Sequence, residues 1–108
     1  MLKNKTAVVT GGTRGIGYEV VKTFLENGAK VALLGSKEES VNKALAQLKA
    51  ENGQYEIIGF HPDLADPEQV AQTFQNVKEA FGSLDILVNN AGISARDVYK
   101  RQRLNRYV

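Results

Sequence analysis

The sequence predicts an α/β fold in which a parallel sheet is covered by helices on both faces, and two observations support this prediction. Short apolar segments alternate with amphipathic stretches, which is the pattern of β-α-β units joined by right-handed crossovers. A glycine-rich turn, TGGTRGIG at residues 10–17, also lies between the first apolar segment and the first amphipathic stretch. The chain has 108 residues, which is enough for one domain with a buried core.

The limits of the elements follow from apolar periodicity and from capping residues. Ser36 with Glu39 predicts a capping box at the start of the second helix. Asp66, followed by Pro67 and Gln69, predicts the start of the third helix. The predicted helix ends are Asn27-Gly28, Asn52-Gly53 and Gly82; the predicted strands are residues 5–10, 30–34, 55–60 and 84–89; the helical apolar stripes comprise Ile16, Val20, Val21, Phe24 and Leu25, then Val41, Ala44, Leu45 and Leu48, then Val70, Phe74, Val77 and Phe81.

The glycine-rich turn predicts a phosphate-binding site. Its glycines allow a tight turn, the approach of a pyrophosphate, and close packing of the helix on the strand. The helix start then offers unpaired N–H groups and the positive end of its dipole to the phosphates. The alternative is a turn that joins a strand to a helix and binds nothing. A P-loop is excluded, because Tyr18 follows Gly17 where such a loop carries lysine.

Composition and charge exclude several other classes of function. The chain has no cysteine and one histidine, His61, so neither a disulfide framework nor a cysteine- or histidine-rich zinc site is expected. The formal net charge is +2, but residues 1–93 carry nine basic and eleven acidic side chains. A nucleic-acid surface is therefore not expected. No segment has the length of a membrane span or a signal peptide, which predicts a cytoplasmic protein with no membrane partner.

Two motifs in this sequence resemble those of the short-chain dehydrogenase/reductase family. Residues 10–17 match T-G-x-x-x-G-(I/L)-G, and residues 89–92 match N-N-A-G at the end of the fourth predicted strand. The resemblance covers residues 1–93 and is closest to the N-terminal part of 3-oxoacyl-acyl-carrier-protein reductases. It implies the first half of a Rossmann-type domain, with strand order 3-2-1-4. Residues 94–108 do not fit the family, and residues 97–102 resemble a translated adaptor sequence, so a basic, artefactual tail is expected there.

The resemblance also implies roles for individual residues around a nicotinamide dinucleotide. Asp63 and Leu64 would meet the adenine, although Asp63 could instead only order a turn. Asn89 is expected to tie neighbouring strands together. The residues expected to hold the pyrophosphate and ribose are Gly11, Gly12, Thr13, Arg14, Gly15, Ile16 and Gly17, and those expected near the nicotinamide ribose are Asn90, Ala91 and Gly92.

The end of the second strand favours NADP over NAD as the cofactor. NAD-binding folds usually carry an acid there that bonds the ribose 2′-hydroxyl. This chain has Gly35, Ser36 and Lys37 instead. Lys37 and Arg14 could both reach a 2′-phosphate through charge-assisted hydrogen bonds. The alternative is that both bases are solvated surface charges.

The resemblance places the family's catalytic residues well beyond residues 89–92, and this sequence has no counterpart to them there. The resemblance implies a catalytic tyrosine with a lysine four residues later, but Arg103 stands four residues after Tyr99, and Tyr107 has no following lysine. We therefore expect this chain to be the cofactor-binding half of an NADP-dependent oxidoreductase that acts on a small-molecule or acyl-carrier-linked carbonyl. The longer protein is expected to be a homo-oligomer. This chain itself is expected to be inactive and to bind no metal. The alternative is a self-standing nucleotide-binding module. In either case the fourth strand is expected to form an exposed apolar edge of the sheet.

Overall fold

The computed structural model describes residues 2–90, which form a four-stranded parallel sheet with three helices. The strands are ordered β3-β2-β1-β4, as predicted. The fold is therefore the first half of a Rossmann-type arrangement, with each strand and the next joined by a helix. The elements in chain order are β1 (Thr6–Thr10), α1 (Gly15–Glu26), β2 (Lys30–Leu34), α2 (Glu38–Glu51), β3 (Ile57–Phe60), α3 (Pro67–Phe81) and β4 (Ile86–Asn89).

The central strands β1 and β2 are apolar along their whole length because both of their faces are covered. All five residues of β1 are buried, and so are four of the five in β2. Strand β1 pairs with β2 from Thr6↔Lys30 to Thr10↔Leu34, and with β4 from Ala7↔Ile86 to Thr10↔Asn89. The carboxyl ends of β1, β2 and β4 therefore meet at one edge of the sheet.

The core has two halves, one on each face of the sheet. On one face α3 places Val70, Phe74 and Val77 against β1 and β2, with the half-buried Phe81 packed beside them. On the other face α1 and α2 pack together on the sheet through Val21, Leu25, Ala44 and Leu48. The predicted arrangement, with helices on both faces of a parallel sheet, is confirmed.

The predicted start of α3 is confirmed in detail. The Asp66 carboxylate accepts hydrogen bonds from the backbone N–H groups of Glu68 at 3.0 Å and Gln69 at 3.4 Å, and Pro67 occupies the first helical position. These contacts satisfy donors that a helix leaves unpaired at its start. At the other end Gly82 adopts the left-handed conformation that ends the helix, with φ 84.

The predicted capping box of α2 is wrong. The helix begins at Glu38, its N-cap is Lys37 rather than Ser36, and no side chain caps it. The first turn instead carries the carboxylates of Glu38 and Glu39. Negative charges at this position interact favourably with the helix dipole, so the helix can start one residue later without the box.

The apolar stripe predicted for α1 is only partly buried. Val21 and Leu25 face the sheet together with Gly17, whereas Ile16 is 77% exposed and both Val20 and Phe24 are half-buried. The helix approaches the sheet along the Gly17 side, because a position without a side chain allows the closest contact there. Ile16 is thereby turned away from the core.

A cluster of hydrogen bonds joins β1 to the segment before β4 at the amino-terminal edge of the sheet. The Asp85 carboxylate accepts from the Thr6 backbone N–H at 2.8 Å, and the Asp85 N–H donates to the Thr6 carbonyl oxygen at 2.9 Å. The Ser83 hydroxyl lies 3.2 Å from both the Asp85 carboxylate and the Thr6 hydroxyl. These reciprocal bonds fix the register in which β4 begins.

Strand β4 forms one edge of the sheet as the structure describes it, and Ile86 to Val88 are half-buried there. This agrees with the expected apolar edge. Among the helices of residues 2–90, none combines the length and apolar character needed to cross a bilayer.

Candidate cofactor-binding site

The glycine turn between β1 and α1 has room above it for a ligand. Gly11 and Gly15 both adopt positive φ values, 66 and 60, which side chains rarely tolerate. A Cβ atom added at Gly15 would meet nothing within 4 Å. The backbone at Gly15 is therefore open to the outside, so that a phosphate can approach it directly. The residues fit the dinucleotide that the motif predicts.

Two other glycines of the turn are required by packing rather than by space for a ligand. A Cβ atom at the buried Gly12 would collide with Leu33 Cδ1 and lie 3.0 Å from Val21 Cγ2. A Cβ atom at Gly17 would collide with the Gly11 carbonyl oxygen. Because these two positions have no side chain, the turn can pack closely on β2 and α1 can pack closely on the turn. These close contacts give the site its shape.

The start of α1 is left without a side-chain cap. Its N-cap residue, Arg14, makes no capping hydrogen bond, and no acidic residue occupies the first turn. The first N–H groups of a helix have no partner within the helix, and they carry the positive end of its dipole. The start of α1 is consequently suited to bind an anion next to the open backbone of Gly15.

The end of β2 lies against the glycine turn. A Cβ atom at Gly35 would lie 2.6 Å from Thr13 Cγ2 and 2.8 Å from Val41 Cγ2, so position 35 has no room for an acidic side chain. The following residues, Ser36 and Lys37, are exposed. Arg14, which is next to Thr13 in sequence, is exposed too, and within residues 2–90 neither Arg14 nor Lys37 forms an ion pair. The end of β2 therefore presents two free positive charges and no carboxylate at positions 35–37.

A cleft of about 480 Å³ lies between the ends of β2 and β3, and it contains both residues predicted to meet an adenine. Leu64 packs half-buried on the core. Asp63 accepts a hydrogen bond through Oδ1 from the Ala65 N–H at 2.9 Å, while its own N–H donates to Gln69 Oε1 at 2.9 Å. Asp63 thus orders the turn, the alternative left open above. Its Oδ2 has no bond among the described residues and can still accept one from a ligand.

His61 lines the same cleft, with its Nε2 3.7 Å from Glu38 Oε2. The pair links the end of β3 to the first turn of α2. The Glu38 carboxylate is therefore directed towards the imidazole of His61.

The two asparagines that follow β4 have different partners. Asn89 Oδ1 accepts a hydrogen bond from the Thr10 hydroxyl at 3.1 Å, which ties β4 to β1 as expected. Asn90 Nδ2 donates to the Gly11 carbonyl oxygen at 3.2 Å. Thr10 pairs with Asn89 in the sheet, and the residues that follow them, Gly11 and Asn90, therefore also lie side by side. Strand register could have predicted the contact between Gly11 and Asn90, which the motif alone does not indicate.

The structure brings most of the predicted site residues to one edge of the sheet. The glycine turn, the end of β2, the cleft beside Asp63 and the side chain of Asn90 all lie at the carboxyl ends of the strands, where ligands of such sheets bind. Ile16 is exposed on the first turn of α1. Ala91, Gly92 and the predicted tail at residues 94–108 lie outside the described residues.

The described residues supply groups suited to binding. Burial, with the nearby Glu51 carboxylate adding to it, raises the pKa of the Tyr18 hydroxyl above its ordinary value of 10.0, so this phenol stays protonated at neutral pH. Within residues 2–90 no three His, Cys, Asp or Glu side chains come together as metal ligands. The arrangement is suited to hold a dinucleotide at the sheet edge.

Comparison with known families decides the relationship of the chain. A family model described as short chain dehydrogenase matches residues 5–107. The chain belongs to the short-chain dehydrogenase family. The family resemblance carried by residues 10–17 and 89–92 is thereby confirmed.

Two relatives illustrate how this short-chain dehydrogenase sequence compares with longer members. It is 60% identical over 94 residues to a 3alpha-hydroxysteroid dehydrogenase of Mediterraneibacter gnavus, covering 87% of this chain and 38% of the relative. It is 38% identical over 94 residues to a 3-oxoacyl-acyl-carrier-protein reductase of Chlamydia trachomatis, with the same coverage of 87% and 38%. The chain therefore spans little more than a third of either relative.

Solved structures of the family share its fold. A short-chain dehydrogenase from Burkholderia cenocepacia in complex with NADP superimposes with a TM-score of 0.75 at 44% identity, covering 85% of this chain and 37% of that one. An NAD⁺-bound xylitol dehydrogenase superimposes with a TM-score of 0.73 at 29% identity, covering 80% and 32%. Members with this architecture are thus found with either dinucleotide.

Proposed function

We propose that this chain is the cofactor-binding half of a longer NADP-dependent oxidoreductase, which transfers hydride between the nicotinamide and a carbonyl or alcohol substrate. The observation that carries the proposal is the uncapped start of α1 beside the open backbone of Gly15. Membership of the short-chain dehydrogenases supports the class of reaction. When bound, the dinucleotide supplies the hydride donor or acceptor.

In this proposal each part of the sheet edge holds one part of the dinucleotide. The turn at residues 11–17 binds the pyrophosphate through the N–H groups at the start of α1. The cleft containing Asp63 and Leu64 takes the adenine, with Asp63 Oδ2 free to accept from its exocyclic amine. Ala91 and Gly92 are proposed to meet the nicotinamide ribose, as the family resemblance implies.

The end of β2 supports NADP rather than NAD as the cofactor. Thr13 and Val41 leave no space for a carboxylate at Gly35, and Ser36 carries none. The unpaired charges of Arg14 and Lys37 stand beside this position, where they can form charge-assisted hydrogen bonds with a 2′-phosphate.

Titration of the purified chain with NADPH and NADH tests the cofactor choice. We expect NADPH to bind at least about tenfold more tightly, since one charge-assisted hydrogen bond contributes roughly 1.5–3 kcal/mol. Arg14→Ala should remove most of this preference and leave NADH affinity unchanged. The exposed Lys5, which precedes β1 at the opposite edge of the sheet, provides a matched control as Lys5→Ala. Comparable affinities for the two dinucleotides in the native chain contradict the choice of NADP.

Two substrates are proposed for the longer protein. A 3-oxoacyl group on an acyl-carrier protein is the substrate predicted from the sequence. The greater identity to the Mediterraneibacter gnavus relative, 60% against 38%, favours a 3α-hydroxysteroid as the second candidate. Both reactions interconvert a ketone and a secondary alcohol, so one assay of NADPH oxidation with a 3-oxoacyl thioester and a 3-ketosteroid in parallel distinguishes them.

We further propose that the 108-residue chain does not catalyse this reaction by itself. The family resemblance places the catalytic tyrosine and lysine well beyond residues 89–92, and neither Tyr99 nor Tyr107 is followed four residues later by lysine. The pair Tyr18 and Lys22 has that spacing but lies within α1, directly after the glycine-rich turn. NADPH oxidation by the purified chain above a blank, with either substrate, contradicts this proposal. The competing proposal, a self-standing nucleotide-binding module, gains support if the chain binds NADPH while a longer protein containing it reduces neither substrate. The domain limit at residue 93, a homo-oligomeric longer protein and a cytoplasmic location remain predictions.

A further inference from the structure

The peptide unit that joins Gly11 to Gly12 is held at both ends by segments distant in sequence. The Gly12 N–H donates to the Leu34 carbonyl oxygen at 3.2 Å, at the end of β2. The Gly11 carbonyl oxygen accepts from Asn90 Nδ2 at 3.2 Å, directly after β4. The first peptide of the phosphate turn therefore lies between a fixed acceptor on one side and a fixed donor on the other.

A third segment closes on the same carbonyl group. A Cβ atom at Gly17 would collide with the Gly11 carbonyl oxygen and lie 2.8 Å from Asn90 Nδ2. The first turn of α1 is thus packed directly on the hydrogen bond between Asn90 and Gly11. Gly11 itself has a φ of 66, a region that glycine enters freely, so the residue's own backbone preference does not fix the orientation of this peptide. If that peptide rotates, the turn and the start of α1 lose their common support.

Asn90 reaches this carbonyl because of strand register rather than because of any ligand. Thr10 and Asn89 are paired across β1 and β4, and the next residue on each strand is Gly11 or Asn90. The amide group of Asn90 is therefore engaged by the protein's own backbone.

We propose that Asn90 is a positioning residue for the phosphate turn: its amide fixes the Gly11–Gly12 peptide, and it acts on pyrophosphate affinity through that peptide rather than by touching the nicotinamide ribose. This inference rests on the proposed dinucleotide function. The contact with the nicotinamide ribose that the family resemblance implies for Asn90 stays a prediction, and the test below decides between the two roles.

The test compares the native chain with Asn90→Asp, which keeps the shape of the side chain but removes the donor and sets a carboxylate against the carbonyl oxygen. Each protein is titrated with NADP⁺ and with ADP, which has the pyrophosphate but lacks the nicotinamide ribose. We expect both affinities to fall by the same factor, about three- to tenfold for one hydrogen bond. A loss confined to NADP⁺, or no loss at all, overturns the proposal.

Amide hydrogen exchange of the nucleotide-free chain provides a second readout that does not depend on binding. We expect faster exchange at the Gly12 N–H in Asn90→Asp, with unchanged protection in the strand β2 amides. Protection of Gly12 that equals the native value overturns the proposal. If the native chain binds neither nucleotide, the proposed function fails, whereas the exchange result still decides whether Asn90 holds the turn.

Two further variants separate positioning from folding. Asn27→Asp removes the same kind of bond, from Asn27 Nδ2 to the Thr23 carbonyl oxygen at 2.8 Å, at the opposite end of α1. It should leave both nucleotide affinities unchanged. Asn90→Ser, which is uncharged, should weaken NADP⁺ and ADP equally without lowering the Tm by more than Asn27→Asp does. A general loss of folding in Asn90→Ser overturns the proposal, because it assigns Asn90 to the stability of the sheet.

Discussion

Helices α1 and α3 cover opposite faces of the same sheet, but their first turns are built differently. At α3 the Asp66 carboxylate accepts from two backbone N–H groups and Pro67 removes the need for a third. At α1 the N-cap is Arg14, no side chain bonds the first turn, and no acid is present in it. The protein itself completes the start of α3, whereas the start of α1 leaves its N–H donors for another anion. The difference means that the start of α1, unlike that of α3, is suited to bind an anion.

The same difference appears in how the two helices contact the chain around them. Helix α3 is anchored by the side chains of Val70, Phe74 and Val77, all of which are buried. Helix α1 begins with Gly17 against the backbone of the turn and is anchored by Val21 and Leu25 further along. The binding end of α1 is therefore held by close backbone contact, a kind of packing that any added side chain disturbs.

The largest effect is expected for Gly17→Val, which breaks the backbone contact at the start of α1. The new Cβ atom collides with the Gly11 carbonyl oxygen, so the turn and the helix must separate. We expect NADPH binding to be undetectable in a fluorescence titration, and urea unfolding to show a loss of about 1–3 kcal/mol from overpacking. Gly53→Val is the matched control, since a Cβ atom at Gly53 meets nothing within 4 Å. Native NADPH affinity in Gly17→Val would show that the turn does not form the site.

Arg14→Asp converts the start of α1 into one that resembles the start of α3. The introduced carboxylate can cap the first turn, which adds roughly 0.5–1 kcal/mol to the free energy of unfolding, and it repels an approaching phosphate. We expect the affinity for NADPH to fall by more than about 100-fold while the Tm rises slightly, since the change also removes a charge that pairs with the 2′-phosphate. Retained affinity would mean that the α1 start is not the pyrophosphate site.

Asp66→Ala should produce the smallest change, mainly in stability. Removal of an N-cap acceptor costs about 0.5–2 kcal/mol, which urea unfolding measures directly. NADPH affinity should fall only slightly, because Asp66 reaches the proposed adenine cleft only indirectly, through the hydrogen bond from Gln69 Nε2 to its Oδ2 at 3.2 Å. Asp66→Ser, which retains an acceptor, should recover most of the lost stability. A large fall in affinity for Asp66→Ala would instead link α3 to the site.

The cap of α3 could be predicted from sequence because it depends on a local pattern, whereas the strand order was expected only from the family resemblance that residues 10–17 and 89–92 carry. Asp66 and Pro67 form a start signal that neighbouring elements do not override. The capping box at Ser36 was wrong because Ser36 precedes the N-cap by one residue, and two acids at the first turn make the box unnecessary. Apolar spacing also could not assign the buried side of α1, because Gly17 contributes its contact through the backbone.

Sequence patterns could indicate the candidate residues whose own backbone or charge forms the site. They could not indicate contacts that a residue makes with a segment distant in sequence. The turn and the end of β2 are contiguous in sequence, so their glycines and bases are visible in the sequence alone. Asn90 bonds a carbonyl 79 residues away, and Thr13 fills the space that a side chain at Gly35 would need. Contacts of this kind depend on strand register and on the distance between elements, which the motif does not contain.

The hydrogen bonds between Thr6 and Asp85 restrict what length β4 can have. They fix the position at which the strand begins. The hydrogen bond from Asn90 to Gly11 requires the strand to end in a register that places Asn90 beside Gly11. Side chains alternate between the two faces of a sheet, so one residue added or removed between Asp85 and Asn90 would reverse the face on which each asparagine stands. The segment from Ile86 to Asn89 consequently tolerates exchange of one apolar residue for another far better than any insertion or deletion.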